Sequence, residues 1–73
     1  MEEFKSINDV LDFAIRSEQE AVDFYTNLSS NASNSEMAEI FKDFAREEMG
    51  HKAKLMKIHR FRVHAAVEPV GVY

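Results

Sequence analysis

An all-α fold is predicted for this chain: an antiparallel two-helix hairpin that pairs with a second copy of itself into a four-helix bundle. Three observations carry that prediction. Only two glycines and one proline occur among the 73 residues, and Pro69 is close to the C-terminus, so nothing breaks the chain into short strands. Apolar residues recur at alternating spacings of four and three over two long stretches, with a Ser- and Asn-rich stretch between them. The chain is short and has no cysteine, so it has neither a disulfide framework nor a thiolate metal site. A core of this size is marginal unless a metal, a partner subunit or very regular helix packing supports it.

The first helix begins at "SIND", where Ser6 as N-cap and Asp9 three residues later form a capping-box pattern, and it runs from about residue 7 to 30. "SSNASNSE", residues 29–36, is the hairpin loop, because Ser and Asn side chains compete for backbone hydrogen bonds and favour turns and caps. Ser33 and Glu36 supply a second capping-box pattern, and the second helix runs from about 35 to 62. Residues 63–73, ending in "HAAVEPVGVY", read as a frayed end and tail of a single 1–73 domain. Helices of about 24–28 residues are about 36–42 Å long at a rise of 1.5 Å per residue. Such a hairpin is half of a bundle.

The net charge of −4 argues against nucleic acid as a partner, since phosphate binding relies on excess Lys and Arg, and makes cations the more natural ligands. No apolar run reaches membrane-spanning length, and "MEEFKSIND" has no signal-peptide pattern. A soluble cytoplasmic protein without a membrane partner is the expectation.

The four-three spacing threads Ile7, Leu11, Ala14, Glu18, Ala21, Tyr25 and Leu28 in the first helix, which puts a carboxylate in mid-seam. In the second helix it threads Met37, Phe41, Phe44, Glu48, His51, Leu55 and Ile58. Within "EEMGH", residues 47–51, Glu48 and His51 therefore point inward, whereas Glu47 lies beside the seam in solvent. Glu18 is roughly 18 Å from the loop along one helix and Glu48 roughly 20 Å along the other, so the two share one level. A lone seam Glu is most often register drift or a snorkelling side chain, and a lone His a hydrogen-bonded core residue. Three such residues converging at one height are a different matter, because a buried carboxylate without a partner is destabilising by several kcal/mol.

Carboxylates and imidazole without thiolates suit iron, manganese or zinc. Dinuclear sites in helical bundles take one Glu from each of two helices and Glu-x-x-His from each of the other two. This hairpin carries one of each, so a two-fold pair supplies four glutamates and two histidines, whose charge two divalent ions neutralise. Without metal, such a dimer is strained by like-charge repulsion or holds some carboxylates protonated.

"AIRSEQEAVDFY" followed by "AEIFKDFAREEMGHKAKL" resembles the first helix pair of the rubrerythrin group of the ferritin-like superfamily, over about residues 7–58. In that family a first-helix ligand precedes a tyrosine by seven residues, as Glu18 precedes Tyr25, and the second-helix Glu-x-x-His matches Glu48 and His51. The resemblance implies a di-iron centre that reacts with oxygen or peroxide and oxidises Fe(II). Encapsulated ferritins, short two-helix chains that dimerise to build the site between subunits, are similar in design, and Glu20 matches an additional carboxylate near the site in that group. These 73 residues depart from the usual rubrerythrin pattern in carrying neither a second helix pair nor a Cys₄ domain, so electron delivery through an attached iron–thiolate centre is not expected. The tail resembles neither the family's crossover nor an encapsulin-targeting sequence. A truncated or frameshifted product that assembles from halves is one expectation.

Tyr25, on the seam beyond Glu18, is the catalytic candidate, with core packing as an equal alternative. His59 and His64 read as surface residues of the helix end rather than ligands. Phe13, Val22 and Phe24 lie off the seam and widen the apolar surface, which fits packing on two sides or oligomers beyond the dimer. Gly50 weakens the helix by about 1 kcal/mol relative to alanine and would ease a close helix approach. Two functions compete on this fold: a ferroxidase or peroxide-reducing di-iron protein, and a non-catalytic metal-binding or structural dimerisation module.

Overall fold

The computed structural model describes residues 4–67, with side chains described through residue 62. It is a helical hairpin of α1, Ile7–Ser30, packed against α2, Ser35–Val67, with no strand among the described residues. Helix α1 begins as its capping pattern predicts. Ser6 is extended, at φ −154° and ψ 166°, and its Oγ accepts from the Asp9 N–H at 3.1 Å. The Asp9 carboxylate reaches back to accept from the Lys5 N–H at 3.2 Å, so two backbone donors at the helix entry are satisfied.

The loop closes on asparagines. Asn31 donates to the Asn27 carbonyl from both its backbone N–H, at 3.1 Å, and its side-chain Nδ2, at 2.9 Å. Ser29 Oγ then crosses to the Ala38 carbonyl at 2.9 Å and ties the two helices together beside the turn. Helix α2 starts at Ser35, but its cap is not the Ser33 of the Ser33–Glu36 pattern. Asn34 is the cap: its Oδ1 accepts from the Met37 N–H at 2.8 Å and its carbonyl from the Ala38 N–H at 3.1 Å. Asn and Ser cap helices about equally well, so the sequence alone does not choose between the two neighbours. At its other end α2 continues to Val67, five residues beyond the predicted end near residue 62. The remainder of the tail and the side chain of His64 lie outside the described residues.

Leu11, Val22 and Ala45 are buried. Val22, off the strict four-three seam, is buried because a straight helix advances about 100° per residue, which brings Leu11, Glu18, Val22 and Ser29 onto one side. The same advance carries part of each seam away from the helix contact. Of the seam residues Ile7, Met37, Phe44 and Ile58 are exposed, and with Val10 and Ile40, which lie beside the seams, they form an apolar face along one side of the hairpin. Among the described residues no helix is long and apolar enough to cross a membrane.

Gly50 lies on the outer side of α2, where an added Cβ meets nothing within 4 Å. The expected close approach at Gly50 is therefore not made within the hairpin. Gly50→Ala is expected to raise stability by about 0.5–1 kcal/mol through helix propensity alone. Thermal unfolding checks this, and a lower midpoint would reveal a close neighbour on that side in the assembled protein.

Candidate metal centre

The antiparallel register brings Glu18 of α1 level with Glu48 and His51 of α2. Glu48 and His51 are one turn apart on their helix and Glu18 faces them across the contact. The two glutamate side chains are 20% and 21% exposed, whereas that of His51 is 59% exposed. The seam expectation thus holds for the carboxylates but not for the imidazole. His51 sits on the open apolar face, because a single hairpin has no element to cover that half of the seam.

His51 Nδ1 lies 2.9 Å from Glu48 Oε1 and 3.1 Å from Glu18 Oε2, so a protonated Nδ1 is shared between carboxylates of both helices. One ligand atom from each of Glu18, Glu48 and His51 lies within 4.8 Å of the others. Ligand atoms bound at about 2.0–2.2 Å to one divalent ion lie within about 4.4 Å of each other, a spacing that small rotations of the partly exposed side chains achieve. The oxygen and nitrogen donors, without sulfur, fit iron, manganese or zinc. Among the described residues this is the one group of three or more acidic or histidine side chains that converges in this way.

Tyr25 packs edge-on against Phe24 and Phe44, with ring centroids 5.3 Å away in each case. With Phe44, Glu47 and Glu48 it lines an open depression of about 240 Å³ that reaches the metal group from the loop side. Glu47 is exposed and contributes no ligand atom to the group, as its place beside the seam predicts. Glu20 stands apart from the three as well. It lines a separate depression with Phe13, Arg16 and Ser17 on the outer side of α1, since two residues along a helix turn a side chain by about 200°.

His59 is not the free surface residue that its place near the helix end predicts. Its Nε2 is 3.0 Å from Asp12 Oδ1, and its side chain is only 29% exposed. The antiparallel count that levels Glu18 with Glu48 and His51 also levels Asp12 with His59, and that was the available signal. A second cross-helix contact, between Lys52 Nζ and Gln19 Oε1, went unpredicted because neither residue type marks a site in a sequence.

The family model described as Rubrerythrin matches residues 9–69, a span that contains Glu18, Tyr25, Glu48 and His51. No curated protein and no solved structure matches the chain.

Proposed function

Because the chain belongs to the rubrerythrin family, we propose that it is a di-iron carboxylate protein, a ferroxidase or peroxide reductase, whose site is completed between two copies. The observation that carries this reading is the convergence of Glu18, Glu48 and His51 on the open apolar face. Among the described residues the hairpin leaves Ile7 of the first seam and Met37, Phe44, His51 and Ile58 of the second exposed. Two copies meeting on that face would cover the apolar residues and bring two such groups together, completing the ligand set of a dinuclear bundle site.

In this reading Glu18 and Glu48 of each copy would hold the metals through their carboxylates, and His51 would hold them through its imidazole Nδ1. Its Nδ1 must be free of a proton for this, so the neutral imidazole would carry its proton on Nε2. Four carboxylates neutralise two divalent ions, which removes the repulsion between the acids. Bound iron supplies the redox chemistry, with Fe(II) as reductant and oxygen or peroxide as oxidant. Tyr25 borders the depression beside Glu48, and its hydroxyl would be the candidate for passing a proton to a small oxidant there.

The mass of the assembly and its metal content test the proposal together. A dimer or a multiple of it is expected, with two iron ions per pair, and a chelator should shift it toward monomer because metal stabilises only the assembled site. A well-folded monomer at micromolar concentration, with and without iron, would overturn the shared site. Oxidation of added Fe(II) in air should run faster than in buffer. Metal bound in that stoichiometry without faster oxidation would instead identify a non-catalytic metal-binding module.

A further inference from the structure

We infer that Gln19 is a positioning residue for the metal centre: by holding the Lys52 ammonium it keeps a competing cation off Glu48 and Glu18. The inference rests on the metal reading above and concerns residues outside the ligand set. Lys52 lies four residues after Glu48, the spacing and order at which a helix makes its most favourable Glu–Lys ion pair. Yet among the ion pairs of the described residues none involves Lys52. Its Nζ donates instead to Oε1 of Gln19 on the other helix, and Gln19 Nε2 donates in turn to Asp23 Oδ1 at 2.9 Å.

The placement of this clasp is what ties it to the metal group. Gln19 directly follows Glu18 and Lys52 directly follows His51, so the clasp sits at the same level as the group. A step of one residue turns each side chain by about 100°, which puts the clasp on the side of the helix contact away from the open face. The amide suits this task. It accepts from the ammonium without adding a negative charge that would bind metal, and its own N–H group is anchored by Asp23. A carboxylate at position 19 would hold Lys52 equally well but would add a third acid beside Glu18. A residue with no acceptor would release the ammonium to the carboxylate one turn away, where it would oppose a divalent ion directly.

The test is calorimetric titration of metal-free protein with Mn(II), comparing the parent with Gln19→Met, Lys52→Met and the double variant, each checked for helicity by circular dichroism. Gln19→Met keeps the length and removes the acceptor, and should weaken Mn(II) binding by about two- to fivefold, the scale of one partly exposed Glu–Lys ion pair that the metal must displace. The double variant should recover parental affinity, because no ammonium remains to compete, and Lys52→Met alone should bind at least as tightly as the parent. Unchanged binding by Gln19→Met would overturn the role of Gln19. So would a double variant as weak as Gln19→Met, since Gln19 would then act on helix packing rather than through Lys52. A parent protein that binds no Mn(II), Fe(II) or Zn(II) would overturn the metal reading and this inference with it.

Discussion

Glu48→Ala and His51→Ala should each abolish stoichiometric metal binding, whereas Glu47→Ala should leave it nearly intact. The contrast follows from the rotation of α2. Glu48 and His51 carry ligand atoms that gather with Glu18 within 4.8 Å, and Glu47, although it borders the same depression, contributes none. Loss of a ligand should exceed the roughly 10–100-fold loss typical of an outer-shell partner. Removing an exposed charge should change affinity by only about threefold, the scale of a surface electrostatic contact. Titration with Mn(II) or Zn(II) in parallel with the parent measures all three. Equal loss in all three variants would mean that Glu47 shares the site and that α2 is rotated from the orientation described here.

Replacing Glu18 and Glu48 together by glutamine should make the metal-free protein more stable than the metal-free parent, and added metal should then stabilise it little further. Glutamine retains the size of the side chain and an oxygen that accepts from His51 Nδ1, so the hydrogen bonds at 2.9 and 3.1 Å have a replacement. What disappears is the repulsion between carboxylates whose ligand atoms lie within 4.8 Å. At that separation and an effective dielectric of about 20 the repulsion is about 3 kcal/mol, which the exposure of both groups reduces. A gain of even about 1 kcal/mol corresponds to about 4–8 °C in the thermal midpoint for a domain of this size. Melting in chelator reads the sign. A lower midpoint for the double variant would show that the glutamates are structural hydrogen-bonding or salt-bridging residues, and the metal reading would lose its main physical support.

Much of the hairpin is legible because its signals are local. Ser6 and Asp9 satisfy backbone groups within one turn of themselves, and the Ser and Asn cluster at residues 29–36 closes its turn through its own side chains. The convergence of Glu18 with Glu48 and His51 is legible for a related reason: once the loop is placed, the helical rise fixes which residues share a level. The sequence does not decide between neighbours that compete on nearly equal terms, as Ser33 and Asn34 do for the cap of α2. Nor does it mark a partner that lies on the other helix, as Asp12 does for His59.

The sequence by itself determined that two helices form, where the chain turns between them, and that two carboxylates and an imidazole meet at one height. Rise per residue and side-chain capping are properties of each segment alone, so no tertiary contact was needed to read them. Only the tertiary structure decided how each helix is rotated about its axis. A four-three seam is wider than one helix contact, and its residues divide between the contact and the open face according to which of them pack. Burial of Leu11, Val22 and Ala45 sets that rotation: it turns the Glu18 and Glu48 side chains partly inward, leaves His51 outside, and faces Lys52 toward Gln19. Those contacts join residues more than thirty positions apart in the chain, and only the packed pair of helices determines which of them form.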